Sequence, residues 1–269
     1  MTNHSPEIAL VTGSSRGLGK STALNLVKKG VDVIVTYHSN AEEATKVVVQ
    51  IESIGAKAVA LQLDTGNTKT FDSFVQQVKQ LLQDKWQTDR FDFLVNNAGI
   101  GINASIAETT EEEFNHLMNI HLKGVFLLTQ KLLPLINDGG RIVNVSTGLT
   151  RIIFPGYAAY ASMKGAIKTL TLYMAKELGS RQIAVNVVAP GAIETDFRGG
   201  AVRDNPEMNK YVASQTALGC VGLPDDIGGA LAKLTVRVAF RRKGIASLLS
   251  EDNQWVNAQR IEVSGGQSI

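Results

Sequence analysis

The chain has 269 residues and a formal net charge of +2, with 44% hydrophobic and 19% charged residues. That is enough chain for a sizeable core, and the near-neutral balance gives no global pull toward nucleic acid or a membrane surface. One cysteine, Cys220, excludes an intramolecular disulfide, and its neighbours Leu218, Gly219, Val221 and Gly222 offer no group to activate it.

The first residues run straight into an apolar strand, without the basic start and small-residue cleavage site of a signal peptide. No window approaches the ~18 uninterrupted apolar residues of a membrane helix. The expectation is a cytoplasmic protein. From there short apolar, often β-branched runs alternate with segments of helical period. Strands are predicted at Ile8–Val11, Val31–Thr36, Ala58–Leu63, Phe91–Asn96, Arg141–Ser146, Ala184–Ala189 and Arg260–Val263. Helices are predicted at Leu18–Lys29, Ala41–Ile54, Thr70–Lys85, Glu111–Leu133, Tyr157–Leu178 and Asp225–Leu234, several with a glycine just beyond, as at Gly30, Gly55 and Gly179. Asn137-Asp138-Gly139-Gly140 reads as a turn. Strand–helix–strand repetition calls for parallel strands joined by right-handed crossovers, an α/β doubly wound sheet of Rossmann type with helices on both faces. No linker divides the chain, so residues 1–269 are expected to form a single dinucleotide-binding and catalytic domain.

The first strand feeds Gly13-Ser14-Ser15-Arg16-Gly17-Leu18-Gly19. A glycine-rich turn between a strand and a helix turns backbone N–H groups and the positive helix end toward an anion. Its spacing, G-x-x-x-G-x-G, differs from the G-x-G-x-x-G dinucleotide fingerprint, so alone it is a moderate signal. NAD-preferring folds place a carboxylate near the end of the second strand to hold the ribose hydroxyls. Here that region is Thr36-Tyr37-His38-Ser39-Asn40, with no carboxylate. Arg16 offers charge for a 2′-phosphate, and Ser39 and Asn40 offer hydrogen bonds. NADP(H) is therefore favoured, with NAD(H) as the alternative.

Four motifs stand in one order: TGSSRGLG; Asn96-Asn97-Ala98-Gly99 after a strand; Tyr160-x-x-x-Lys164; and Pro190-Gly191 after a later strand. Together they strongly resemble the short-chain dehydrogenase/reductase family, across nearly the whole chain to Val263-Ser264-Gly265-Gly266. The resemblance implies a nicotinamide cofactor, hydride transfer between alcohol and carbonyl, and a homo-oligomer, tetramer or dimer. It implies that Gly13, Ser15, Arg16, Gly17, Leu18 and Gly19 hold the pyrophosphate side. Asp64 would contact adenine, and Asn96, Ala98 and Gly99 would line the adenosine. Pro190, Gly191, Ile193 and Thr195 would form a nicotinamide shelf.

Carbonyl reduction needs a hydride on one side and a proton donor at the oxygen. On a helix Tyr160 and Lys164 are i and i+4 and share a face, while Tyr157 stands two turns from Lys164. A nearby ammonium favours the phenolate, so Lys164 is expected to lower the Tyr160 pKa. Tyr157 is left to packing or the cleft wall. In the family a serine lies about thirteen residues before the tyrosine. That count reaches Thr147, with Ser146 a close second as the hydroxyl that orients the substrate. Where the family has a relay asparagine this chain has His121, read evenly as a relay member or as a satisfied helix histidine.

Two further stretches complete the sequence. Thr195–Thr216 follows the shelf and is expected to cover the substrate with Phe197, Arg198, Arg203, Met208 and Tyr211. An unusual insertion falls near residues 231–248, with about fourteen extra residues. Its core, Thr235–Gly244, carries four basic residues and no acid. The insertion reads as a tolerated surface excursion, as a disturbed subunit interface or, third, as a basic site for an anionic partner, and the disturbed interface is the hypothesis carried forward. The favoured reading is an NADP(H)-dependent oxidoreductase acting on a small carbonyl or secondary alcohol, with no nucleic acid, membrane or metal partner. Its alternative is a cofactor-binding regulatory protein with weakened chemistry.

Overall fold

The apolar runs that the sequence marks as strands lie side by side in the computed structural model, which describes residues 6–235 and 255–268. Most of the predicted insertion lies outside the described residues. The strands are β1 (Ile8–Val11), β2 (Asp32–Tyr37), β3 (Ala58–Gln62), β4 (Phe91–Asn96), β5 (Ile136–Val145), β6 (Ala184–Pro190) and β7 (Arg260–Val263). They form one parallel sheet in the order β3-β2-β1-β4-β5-β6-β7. The order reverses between β1 and β4, and in such sheets ligands bind beyond the strand ends at that reversal.

The helices are α1 (Gly17–Val27), α2 (Ala41–Glu52), α3 (Phe71–Leu81), α4 (Glu111–Met118), α5 (Gly124–Leu132), α6 (Ala158–Glu177), α7 (Pro206–Ser214) and α8 (Pro224–Thr235). Side chains alternate across each strand, so the sheet has two apolar faces. Ile8, Leu10, Ile34, Leu94 and Ile142 meet Phe71, Phe74 and Val78 of α3 and Leu128 and Leu132 of α5. On the other face Ala9, Val11, Val33, Val35 and Val95 meet Ala23 and Leu26 of α1 and Val47 and Ile51 of α2. Burying each such aliphatic or aromatic side chain contributes about 1.5–3 kcal/mol. Helix α8 joins the second face, tied to α1 by the Ser21 hydroxyl donating to Asp225 at 2.5 Å. At Gly228 a Cβ would meet Ser21 Oγ at 2.2 Å, so glycine sets that helix approach.

Three differences from the sequence reading have physical reasons. The predicted turn at Asn137–Gly140 is absorbed into β5 as an irregularity, because Phe91 pairs with Ile136 and Phe93 with Arg141. Gly139 takes φ 71 there, and Asn137 Nδ2 donates to Asp92 Oδ1 at 2.9 Å. The predicted helix Glu111–Leu133 is interrupted by a π-helical turn over Asn119–Lys123. Helix α7 begins inside the covering segment, where Asn205 Oδ1 accepts from the backbone N–H groups of Glu207 and Met208 and Pro206 opens the first turn. No helix among the described residues is long and apolar enough to cross a membrane.

Candidate active site

The glycine-rich turn is built from β1, β2 and β4 together. Ser14 N–H donates to the Thr36 carbonyl at 2.9 Å, and the Ser14 hydroxyl donates to the Val11 carbonyl at 2.7 Å. Thr12 Oγ1 accepts from the backbone N–H groups of Asn97 and Ala98, each at 2.9 Å. Asn97 Nδ2 donates back to the Thr12 and Gly13 carbonyls at 2.9 and 3.1 Å. These bonds fasten the start of the turn to the end of β4.

The glycines serve different needs. At Gly19 a Cβ would meet the Gly13 carbonyl oxygen at 2.3 Å, so packing forbids it. Gly17 takes φ 55, and its Cβ would meet only Thr195, at 3.8 Å. Its constraint is conformational, and the space before it is open. Helix α1 starts there with Arg16 as N-cap, no side-chain cap bond and no acidic residue in its first turn. A turn with open space, helix-start N–H groups and an arginine fits a phosphate-bearing cofactor. The approach of Gly17 to Thr195 also brings the predicted shelf opposite the turn. Behind Thr195, Gly191 N–H donates to the Val263 carbonyl at 3.0 Å, and Ile193 bridges Gly222.

Around β2 and β3 the predicted residues are placed as follows. Asp64 lies just past β3, with Oδ1 accepting from the Gly66 N–H at 2.8 Å and Oδ2 3.8 Å from His38 Nε2. Asn40 Oδ1 caps α2 by accepting from the Glu43 N–H at 3.1 Å. Ser39 and Arg16 are exposed.

Asn96 requires a correction. Its side chain is buried and does not line the turn. Its amide donates to Asn144 Oδ1 at 2.8 Å and Thr129 Oγ1 at 3.1 Å, and Asn144 donates on to Thr171. This buried ladder joins β4, β5, α5 and α6 beneath the site. Asn97, with Thr12 and Ser14, does the work at the turn, and the sequence reading missed all three. A threonine and a serine flanking the first glycine, with a second asparagine after β4, were the available signals.

Tyr160 lies in the first turn of α6 and is 6% exposed. Its ring meets His121 edge-on, with centroids 5.2 Å apart, Phe197 at 5.8 Å and Tyr157 at 6.4 Å. The Thr147 hydroxyl lies close enough to favour the phenolate, and its Oγ1 accepts from the Leu149 N–H at 3.2 Å. Ser146 points elsewhere: its Oγ donates to the Lys164 carbonyl at 2.9 Å. Lys164 is buried, and its Nζ donates to the Val145 carbonyl at 2.7 Å.

Burial pushes the Tyr160 phenol above its ordinary range, and the Thr147 hydroxyl opposes this only in part. The sequence reading expected Lys164 to lower it. In the protein by itself desolvation wins, and burial also takes the Lys164 ammonium from 10.5 down to about 7. Desolvation first, and the Lys164 charge second, hold His121 well below the usual histidine value.

His121 sits in the π-helical turn between α4 and α5, the kind of irregularity that re-aims a side chain at a site. Its Nε2 is 2.9 Å from the Ile100 carbonyl oxygen and 3.3 Å from the Ile100 N–H, so the tautomer sets which bond forms. Nδ1 is buried with no partner among the described residues. Gly99 makes room for the ring, since a Cβ there would meet His121 Cε1 at 2.7 Å.

Phe197 and Arg198, from the covering segment, lie against this cluster. The Arg198 guanidinium stands 5.2 Å from the Tyr157 ring centroid and donates to the Tyr157 hydroxyl. Thr147, Tyr160, Lys164 and His121 thus come together at the carboxyl ends of β4 and β5, beside the glycine-rich turn. Ser146 is adjacent in sequence but faces into α6.

Known proteins resemble this chain over nearly its whole length. The family described as short chain dehydrogenase matches residues 7–206. An uncharacterized oxidoreductase of Methylorubrum extorquens is 36% identical, over 97% of this chain and 97% of its own. A probable tetrahydroxynaphthalene reductase of Zymoseptoria tritici is 32% identical over 96% of this chain and 93% of its own. The crystal structure of the angucycline C-6 ketoreductase LanV with bound NADP superposes with a TM-score of 0.87 at 33% identity, over 97% of this chain and 95% of that one. With the parallel sheet, the turn and the tyrosine–lysine pair in place, the chain belongs to the short-chain dehydrogenase family of oxidoreductases.

Proposed function

We propose that the protein is an NADP(H)-dependent ketoreductase that reduces a ketone to a secondary alcohol and can run in reverse. The observation that carries this reading is one buried cluster in which the Tyr160 and Thr147 hydroxyls stand near each other, with Lys164 a helical turn away and His121 edge-on to the Tyr160 ring. A reducible carbonyl oxygen needs two such groups, one to give a proton and one to hold the oxygen in place. LanV with bound NADP and the reductase of Zymoseptoria tritici support the direction.

The glycine-rich turn and the start of α1 would hold the pyrophosphate. Arg16, Ser39 and Asn40 would face a 2′-phosphate, because no carboxylate stands at the end of β2 to repel it. Asp64, Ala98 and Gly99 would border the adenosine side, and Pro190, Gly191, Ile193 and Thr195 the nicotinamide. When bound, the reduced cofactor supplies a hydride to the carbonyl carbon. Tyr160 gives its phenolic proton to the carbonyl oxygen, and the Thr147 hydroxyl donates a hydrogen bond to the same oxygen. Lys164 binds the ribose and, as an ammonium, favours the phenolate that Tyr160 becomes. His121 stays neutral and presents Nδ1 as an acceptor, a role that needs no net charge in the relay. Phe197 and Tyr157 wall the cleft from water.

Loss of NADPH absorbance with a panel of aryl and polycyclic aromatic ketones tests this reading. Turnover with wild type, and its loss in Tyr160→Phe with NADPH binding retained, is the expected result. NADPH binding without turnover across the panel would instead favour a cofactor-binding regulatory protein. Assembly as a dimer or tetramer belongs to the same proposal, supported by exposed Phe114, Phe126 and Tyr173 on α4, α5 and α6; light scattering measures it.

A further inference from the structure

The covering segment sorts its charges unevenly. Arg203 pairs with Asp204, its Nε 2.7 Å from Oδ1, and also with Asp196. Glu194 accepts from Asn209 Nδ2 at 2.7 Å. Asp196, Asp204 and Glu194 therefore each have a partner that is not Arg198. Among the described residues no carboxylate lies within ion-pair distance of Arg198; it contacts the neutral Tyr157, by hydroxyl and by ring.

The chain holds this cation at the cleft by an unfavourable backbone. Arg198 has φ 53 and ψ 44, followed by Gly199 at φ 66. A non-glycine residue keeps the left-handed region only where its surroundings fix it. The fixing is visible at Gly101, where a Cβ would meet Phe197 Cζ at 2.4 Å and Arg198 Cγ at 2.9 Å. Gly101 is thus the hollow into which Phe197 and the Arg198 stem fold. The result is a guanidinium one tyrosine away from Tyr160, with the rings of Tyr157 and Phe197 both packed against that of Tyr160. Tyr157 takes one of its five N–H donors, which leaves a fork for a planar anion.

We propose that Arg198 is a specificity-determining residue, which with Tyr157 binds a carboxylate on the substrate about one ring's width from the carbonyl that Tyr160 addresses. The assignment rests on the ketoreductase reading for the position of the carbonyl. It selects an acidic aromatic or ring-sized keto compound over its neutral analogue.

The test uses the full chain saturated with NADP⁺, so that a ketone forms a complex but is not reduced. Calorimetry compares 4-acetylbenzoate with its methyl ester. Wild type is expected to bind the acid about tenfold or more tightly than the ester. Arg198→Gln, which keeps a non-glycine residue at the same backbone conformation, is expected to remove that preference, and Arg198→Lys to restore part of it. Equal binding of acid and ester by wild type, binding of neither, or an unchanged preference in Arg198→Gln overturns the proposal. NADPH turnover separates the two readings: an acid preference in binding, with no reduction of this pair or of the ketone panel, sinks the ketoreductase and leaves the carboxylate site standing.

Discussion

The Ser146 hydroxyl donates to the backbone carbonyl of Lys164 at 2.9 Å, and so ties the end of β5 to α6 from the side away from Tyr160. Thr147, the next residue, carries the hydroxyl beside the phenol. Thr147→Val is expected to lower kcat by about 10²-fold, the usual scale for losing one oxygen-binding donor. Thr147→Ser should keep most of it. Ser146→Ala should leave kcat within a few-fold while costing about 0.5–1.5 kcal/mol of stability for one lost hydrogen bond, since the Lys164 carbonyl keeps its place in the ladder of α6. Steady-state kinetics and urea unfolding on the three variants check this; a larger kcat loss in Ser146→Ala than in Thr147→Val would reverse the assignment.

Tyr160→Phe removes the proposed proton donor without emptying its place beside His121 and Phe197. Turnover is expected to fall by about 10²–10⁴-fold, with NADPH affinity unchanged within a few-fold. Fluorescence titration of NADPH beside the turnover assay reads both quantities.

Burial of Lys164 makes stability depend on pH. Its folded value is about 7 against an ordinary 10.5. Between these values the unfolded chain holds a proton that the folded chain lacks, so stability of the cofactor-free protein rises with pH from about 7 toward 10. Above about 10 the raised Tyr160 phenol acts with the opposite sign and closes the window. Urea midpoints should therefore climb across that range in wild type and climb less in Lys164→Met. An equal climb in both would place the effect on another group.

His121 gives the acid side. Its folded pKa lies well below 6.5, so the unfolded chain takes up a proton that the buried ring refuses, and stability falls as pH drops below about 6.5. His121→Asn, which keeps a hydrogen-bonding side chain near Ile100, is expected to reduce this acid loss and to retain measurable turnover. His121→Ala should lower kcat and change its pH profile. An unaltered kcat profile in His121→Ala would leave the histidine with a packing role alone.

Gly17 and Gly19 should fail differently. Gly19→Ala drives a Cβ into the Gly13 carbonyl at 2.3 Å, and is expected to cost about 1–3 kcal/mol and to abolish cofactor binding. Gly17→Ala meets no backbone, so it should cost about 1 kcal/mol for its positive φ and weaken NADPH binding by crowding the open turn. Thermal unfolding with and without NADPH separates the two.

The seven strands were legible because each is a short apolar run that must be covered on both faces, and the order of the motifs named the turn and the Tyr160–Lys164 pair. Periodicity also put Tyr160 and Lys164 on one helical face. Other features depended on residues distant in sequence. Asn96 and Asn97 are the same residue type in adjacent positions, yet one faces Asn144 inside the sheet and the other faces Thr12 at the turn, because successive strand side chains alternate. The π-helical turn around His121 left no Pro or Gly signal at that residue; the ring's fit against Gly99 and Ile100 accompanies it. The choice between Ser146 and Thr147 depends on which hydroxyl α6 engages. The sequence by itself determined the parallel sheet, the family and the pairing of Tyr160 with Lys164 on one helical face, because local apolar patterning and motif spacing suffice for those. Only the tertiary structure decided which neighbouring hydroxyl, amide and cation face the cleft, because those orientations follow from packing partners 18 or more residues away.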